Sequence, residues 1–435
     1  MSTRAATGRR ITLRRSLAFA LLAAVLLALL AAAAVVALNL RGEDPLPANE
    51  PAFAATPAQV ERGRYLALAG NCAGCHSARG SGAYAGGLGI ATPFGTIFST
   101  NLTPDPQQGI GSWSASHFWR AMHNGRAKDG RLLYPAFPYP SFTKITREDS
   151  DAIYAYLRSL PPDASPNRPH SLRFPYDTQA ALAVWRALSF QPGGFVPDPA
   201  RPAEWNRGAY LTEGLGHCIA CHGSRNALGA TEEARGLSGG VIPVENWYAP
   251  SLTSPREAGV ATWEARHVVQ LLKTGTAPGG SVMGPMADVV FRSTQHLDDA
   301  DLAAMAAYLQ QLPDSAPAPA PGPVGRRDPG TMERGAAIYA QRCAYCHGDR
   351  GEGAPGAYPP LVGNRAVLMD NAVNLMQMVR HGGFLPATAG NPRPYGMPPF
   401  GHVLDDRQIA DVLTWVRGAW GNDAPPISQR DMARR

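Results

Sequence analysis

The pattern Cys-x-x-Cys-His occurs three times in this 435-residue chain and accounts for every cysteine it contains. The copies are Cys72, Cys75 and His76; Cys218, Cys221 and His222; and Cys343, Cys346 and His347. The spacing matches one chemistry. Two thiols add to the two vinyl groups on one edge of a porphyrin, and the next residue sets an imidazole beneath the iron. The motifs therefore predict three covalently bound haem c groups, with the six cysteines as attachment points and His76, His222 and His347 as proximal iron ligands. A zinc site would draw two Cys pairs from nearby sequence. Here the pairs lie more than 100 residues apart and each has its own histidine. A thioredoxin-like pair needs a βαβ setting that is absent, and structural disulfides would not require the histidines.

Each motif heads a related segment. An Arg-Gly pair precedes it on a helix-like stretch: Arg62-Gly63, Arg207-Gly208 and Arg334-Gly335. Tyr65-Leu66 and Tyr210-Leu211 follow the first two pairs at one offset. Asn101-Leu102-Thr103, Gly109-Ile110 and Trp113 recur as Ser251-Leu252-Thr253, Gly259-Val260 and Trp263, and His117 and Gly125 recur as His267 and Gly275. Amphipathic helices with an acidic start close the segments, roughly over 148–160, 298–312 and 405–417. Helix, haem motif, long loop, helix is the small α-helical cytochrome c plan, in which the haem supplies much of the core that a short chain cannot build.

Leu17 to Leu40 carries no charge. As a helix rising about 1.5 Å per residue, it is long enough to cross a hydrocarbon layer of roughly 30 Å. Arg4, Arg9, Arg10, Arg14 and Arg15 precede it and hold five of the six net positive charges of the chain. The basic balance is therefore a topology signal. It places the N-terminus in the cytoplasm and the haem segments in the periplasm, on a single pass through the inner membrane. It is not a nucleic-acid footprint. A cleaved secretory signal is the competing reading, but the apolar run exceeds the length of such a core.

The expected fold is mainly α, with three tandem cytochrome c-like domains after an N-terminal transmembrane helix. A cytoplasmic basic tail occupies 1–16 and the spanning helix 17–40. The haem domains occupy 55–162, 201–313 and 331–420. A linker bearing a helix fills 163–200, a Pro-rich linker fills 314–330, and a tail fills 421–435. Within the first linker, Tyr176–Phe190 reads as a helix with Trp185 and Leu188 on an apolar face, either a packed strap or a docking surface for a partner subunit.

An electron carrier commonly seals its iron with a methionine thioether, which raises the potential. Met397, in Tyr395-Gly396-Met397-Pro398-Pro399-Phe400, stands in a proline-flanked loop after the third motif. Met286, in Gly284-Pro285-Met286, holds that place in the second segment, with Met283 as its competitor. Met369, Met376 and Met378 read as core. The first segment breaks the pattern, because Phe137 stands where methionine is expected. Met122, His123, a five-coordinate iron and a ligand from a partner remain open there, and the sixth ligand is left unassigned. His117 is less attractive, because its counterpart His267 lies in a segment that has methionines.

Three stretches carry a family resemblance. One is Glu204-Trp205-Asn206-Arg207-Gly208-Ala209-Tyr210-Leu211, continuing through Gly216-His217-Cys218 to Ser224-Arg225-Asn226-Ala227-Leu228-Gly229. The others are Ser99-Thr100-Asn101-Leu102-Thr103-Pro104-Asp105 with Gly109-Ile110-Gly111, and Leu133-Tyr134-Pro135-Ala136. With them the chain resembles the three-haem cytochrome c subunit of bacterial membrane-bound dehydrogenases. The resemblance implies an electron-transfer subunit that is not catalytic by itself. Its partners would be a catalytic dehydrogenase subunit, with or without a small iron–sulfur subunit, and membrane quinone or a terminal oxidase as acceptor. Ala-Phe-Pro-Tyr in place of Ala-Met-Pro-Tyr is similar to cytochromes that accompany molybdenum-type aldehyde or heterocycle dehydrogenases, so that branch is favoured. Quinoprotein alcohol and flavoprotein sugar or gluconate dehydrogenases are the alternative. A haem enzyme or gas sensor with an open first iron is the rival of another class.

Overall fold

A computed structural model describes residues 3–313 and 327–433, with side chains from Leu17 onward. The first helix, α1 (Thr3–Leu40), runs unbroken from the basic tail through the apolar run. Its apolar part stands clear of the rest of the protein. Only Val35 and Asn39 are covered in that part.

One helix pair then recurs three times. In the first segment α2 (Pro57–Ala69) leads into the attachment turn α3 (Cys72–His76), and α4 (Ala115–Asn124), α5 (Tyr139–Phe142) and α6 (Arg147–Ser159) follow. Thr56 opens α2 with a reciprocal capping box to Gln59, and Ser114 opens α4 with one to His117. After the strap helix α7 (Gln179–Ser189), the second segment repeats the order as α8 (Ala203–Tyr210), α9 (Ile219–His222), α10 (Ala265–Thr274), α11 (Pro285–Arg292) and α12 (Asp299–Gln310). A π turn, Leu211–Leu215, continues α8. The third segment has α13 (Pro329–Arg342), α14 (Ala344–His347), α15 (Arg365–Leu368), α16 (Val373–His381), α17 (Asp406–Val416) and α18 (Gln429–Ala433).

The Arg-Gly pairs have a structural cause. A side chain at Gly63 would collide with the Ala152 carbonyl of α6, and one at Gly208 with the Ala304 carbonyl of α12. Glycine is what lets the opening and closing helices touch backbone to backbone. The arginine beside it pairs with an aspartate of the closing helix: Arg62 with Asp149, Arg207 with Asp301 (2.7 Å) and Arg334 with Asp411 (2.6 Å).

Strands are short. β1 (Gly89–Thr92), β2 (Gly95–Phe98) and β3 (Ser171–Leu172) form an antiparallel sheet that ties the strap to the first segment. β4 (Gly240–Ile242) and β5 (Trp247–Ala249) form a hairpin in the second.

The first two segments share one continuous core, which includes Leu66, Ile153, Leu157, Leu211, Leu215 and Leu302. The third has its own, around Tyr339, Ile409 and Leu413. The expected C-terminal tail belongs to that core, because Ile427 and Met432 are buried in it. Most of the Pro-rich stretch expected over 314–330 lies outside the described residues, and its last two residues already form the first turn of α13.

The strap helix forms inside the expected span, opened by Thr178, whose hydroxyl accepts from the Ala181 N–H. Its covered face differs from the expected one. Leu182 and Arg186 are buried, Leu188 is 70% exposed, and the Trp185 indole donates to the Leu228 carbonyl (2.9 Å). Buried Arg186 wins its place by full pairing. It donates to Asn39 Oδ1 and to the carbonyls of Asn124 and Gly125, and it lies over the rings of Tyr139 and Phe190.

Candidate functional site

Each Cys-x-x-Cys-His run forms a single tight turn just after the opening helix of its segment. Asn71 enters the first turn with φ 49 and His217 the second with φ 37. The left-handed residue redirects the chain so that the turn leaves the axis of the preceding helix.

All six cysteines are unpaired. Among the described residues no three His, Cys, Asp or Glu side chains converge into a metal-holding group. Burial pushes the Cys72 and Cys218 thiols up to about 12 and Cys343 up to about 11.

The three histidines share one arrangement. His76 Nδ1 bonds the Thr100 carbonyl (2.7 Å), His222 Nδ1 the Pro250 carbonyl (2.7 Å) and His347 Nδ1 the Pro359 carbonyl (3.1 Å). With Nδ1 tied to a backbone acceptor, Nε2 is left with its lone pair and the ring is fixed in orientation. Burial lowers all three imidazoles from their ordinary value, which keeps them neutral.

The repeated Asn-Leu-Thr and Ser-Leu-Thr blocks account for two of those carbonyls. Thr100 precedes Asn101, and Pro250 precedes Ser251. Asn101 Oδ1 accepts from the Thr103 backbone N–H (2.8 Å) and hydroxyl (2.7 Å), and Ser251 Oγ accepts from the Thr253 N–H (3.2 Å). Each block is a self-bonded turn that presents the preceding carbonyl to the histidine.

Met286 is half-buried against the shared core and is the second residue of α11, not part of an open loop. Its helix starts after Gly284 at φ 54. Met397 is half-buried in a two-residue strand, Gly396–Met397, paired with Gly383–Phe384. Met369 is buried, and Met376 packs against the third core, as expected of core positions.

In the first segment Phe137 lies in an aromatic cluster, 5.3 Å from the Phe142 ring centroid and 6.5 Å from that of Tyr139. Met122 is enclosed in the shared core. His123 stacks on Trp119 (4.4 Å) and lines a cavity of ≈ 240 Å³ beside the chain that leaves α1, with Asp44, Arg120 and Arg147. His117 bonds Ser114 Oγ through Nδ1 (2.8 Å), capping its own helix.

Sequence reading assigned no role to His217. It is half-buried, its Nδ1 bonds the Leu215 carbonyl (2.7 Å), and its ring meets Phe142 of the first segment edge-on at 5.5 Å. The available signal was its position, immediately before the attachment turn.

Residues 60–161 and 206–313 match the family pattern described as cytochrome c, and residues 330–416 match that of cytochrome c oxidase, cbb3-type, subunit III. The class is therefore a protein of cytochrome c domains, which carry covalently bound haem c.

Relatives narrow this further. The chain is 40% identical over 398 residues to an alcohol dehydrogenase (quinone) cytochrome c subunit of Gluconacetobacter polyoxogenes, covering 86% of this chain and 84% of the relative. It is 37% identical over 399 residues to the gluconate 2-dehydrogenase cytochrome c subunit of Pantoea cypripedii, covering 87% and 90%. It is 41% identical over 373 residues to a nicotinate dehydrogenase subunit of Pseudomonas putida, covering 85% of this chain but 31% of that relative. The chain belongs to the cytochrome c subunits of membrane-bound dehydrogenases. It is an electron-transfer subunit of such a complex, not its catalytic one.

Proposed function

We propose that this chain takes electrons from a catalytic dehydrogenase subunit and passes them towards membrane quinone or a terminal oxidase through three covalently bound haem c groups. Cys72 and Cys75, Cys218 and Cys221, and Cys343 and Cys346 form the thioethers. His76, His222 and His347 are the proximal iron ligands, and Met286 and Met397 are the sixth ligands of the second and third haems. The observation that carries this reading is the threefold arrangement of a tight Cys-x-x-Cys-His turn whose histidine is held by a backbone carbonyl through Nδ1. The donor set fits the group: paired unlinked thiols for the porphyrin edge, and a neutral, oriented imidazole for the iron.

Bound haem supplies a one-electron iron couple. The chain's own residues decide how that couple is used. Backbone carbonyls orient the imidazoles, and a thioether at Met286 and Met397 would favour the reduced state. Phe137 offers no such ligand, so the first haem differs from the other two.

The second segment is the middle member of the relay. It shares its core with the first and meets the third through polar contacts. Asn374 of α16 bonds both the Tyr248 N–H (2.9 Å) and the Tyr248 carbonyl (2.7 Å) on β5. Gln377 donates to the Asn246 carbonyl (2.9 Å). The first segment carries the anchor. Asn124 donates to the Gly42 carbonyl (3.0 Å), and Arg126 pairs with Glu43 (2.8 Å) just beyond α1. With arginines before α1, the haem segments face the periplasm.

The partner class moves from the molybdenum branch to the alcohol and sugar-acid branch. Relatives from alcohol and gluconate dehydrogenases align over most of both chains, as does the fructose dehydrogenase cytochrome subunit of Gluconobacter japonicus. The nicotinate relative is matched over less than a third of its length.

Mass spectrometry of protein from native membranes tests the haem count. Three added haem masses are expected, falling to two in Cys343→Ala/Cys346→Ala. An unmodified full-length chain refutes the reading. Purification of the intact complex then identifies the partner. A quinone or flavin cofactor on the catalytic subunit is expected, and a molybdenum cofactor would restore the other branch.

A further inference from the structure

The strap helix α7 has a second face that neither the haem sites nor the shared core uses. Leu182 and Arg186 point inward, while Val184 is 47% exposed and Leu188 70% exposed. Ala180, exposed as well, continues the stripe at four-residue spacing, so it runs along one side of the helix. The only charged side chain of α7, Arg186, is buried. Two large apolar residues on the flanking chain are exposed as well: Phe174 is 82% exposed and Val196 84%.

The location of α7 shows what covers this face. α7 packs on α1 at the end of the apolar run. Asn39 donates to the Ala183 carbonyl (2.8 Å) and accepts from Arg186 (2.9 Å), and Arg41 donates to the Phe190 carbonyl (2.9 Å). Asn39 also donates to the Val35 carbonyl one turn below, and Val35 and Asn39 are the two covered residues of the apolar part of α1. Val35 lies five residues inside the end of that run, roughly 7–8 Å along a helix rising about 1.5 Å per residue. α7 therefore packs at the level of the last turns of the spanning helix, where water gives way to lipid.

We propose that α7 is an interfacial membrane helix, lying along the bilayer surface where α1 emerges, with Ala180, Val184 and Leu188 inserted at the headgroup–acyl boundary. An apolar helical stripe at this depth is buried by lipid as it would be by a protein core. The spanning helix and α7, locked together through Asn39 and Arg186, then form a two-point mount. The first haem segment is held at a fixed height above the membrane instead of swinging on a tether. This inference rests on the anchor reading of α1.

The test uses the full haem-loaded chain in nanodiscs of phosphatidylethanolamine and phosphatidylglycerol. A nitroxide is carried on a ketone-bearing amino acid replacing Leu188, Val184, Leu29 or Arg407, one at a time. Electron paramagnetic resonance then compares relaxation by oxygen, which concentrates in lipid, with relaxation by a water-soluble nickel chelate. At Leu188 and Val184 the oxygen-to-nickel ratio is expected to be several-fold above that at Arg407, which is exposed on α17 of the third segment. Leu29, mid-span, should read deepest. If Leu29 reads as lipid but Leu188 and Val184 read as water, the inference falls and the anchor stands. If Leu188 and Val184 are shielded from both reagents, protein covers the face and the inference also falls. If Leu29 itself reads as water, the anchor reading fails and takes the mount with it.

Discussion

In the first segment the Tyr65 hydroxyl donates across to Asp301 of the second (2.7 Å), and Tyr210 of the second donates back to Asp149 of the first (2.6 Å). Each aspartate is already paired with the arginine of its own helix pair. The third segment repeats the arginine and the aspartate but carries Ala337 three residues after Arg334, where the others carry tyrosine. The tyrosine side chain at this position is one difference between the segments that pair and the one that stands on its own core. The same carboxylate that closes a helix pair also joins the two segments, so closing and joining are coupled. In the third segment the Arg334–Asp411 pair serves closure alone, and contact with the second includes the Asn374 and Gln377 amides, an exposed Arg256–Asp370 pair (3.1 Å) and Arg365, which donates to the Gly259 carbonyl and lies over the Trp263 ring (5.2 Å).

The coupling is most severely broken at the helix crossing. Gly208→Val forces α8 away from α12, an overpacking of the kind that costs several kcal/mol. Through the shared core it should remove haem from the first segment as well as the second, leaving one haem per chain. Gly335→Val should lose only the third. Haem-to-protein ratios and mass spectra distinguish two lost groups from one, and equal losses would show that the shared core transmits nothing.

Asp301→Ala leaves Arg207 and Tyr65 without their acceptor, and breaking a largely buried pair costs about 3–5 kcal/mol. The joint unfolding of the first two segments should shift while that of the third stays put, as read by calorimetry. The same carboxylate sets an acid limit. Burial works against its charge, but the Arg207 guanidinium and the Tyr65 hydroxyl hold its carboxyl below the usual range. A carboxylate depressed in the folded state contributes stability above its unfolded value of about 4 and loses it as pH falls through the folded one. Acid titration should therefore loosen the first two segments below about pH 4, and Asp301→Asn should flatten that part of the profile.

Tyr65→Phe and Tyr210→Phe delete one hydrogen bond each to a charged acceptor, worth about 1.5–3 kcal/mol. Their double mutant tests whether the two bonds act as one device, since a loss differing from the sum measures the coupling.

The smallest change in stability probes the one place where the paired segments differ chemically. Phe137→Met should add a thioether to the first iron, raising its potential, and should abolish any carbon monoxide binding by the reduced protein. Spectroelectrochemistry checks both, and an unchanged first potential would mean that this loop does not face the iron.

The three Cys-x-x-Cys-His turns were legible because the motif is contiguous: five adjacent residues describe each one. The closing helices were legible from period and acidic caps, with observed bounds of Arg147–Ser159, Asp299–Gln310 and Asp406–Val416. The long apolar helix was legible because twenty-odd uncharged, apolar residues in succession leave nothing to break it.

Other features needed the folded chain. The Arg-Gly pairs were visible as a repeat, but their reason, a backbone crossing, was not. The covered face of α7 was not legible, because nothing local to Arg186 names Asn39, the two carbonyls and the two rings that satisfy it when buried. Tyr65 and Asp301 stand 236 positions apart, and nothing local to either names the other. Sequence by itself determined the attachment motif and the helical period of each segment, since both act over a few residues. Tertiary structure alone decided which segments fuse and which stand apart, because that choice rests on shared buried charge between residues that only folding brings together.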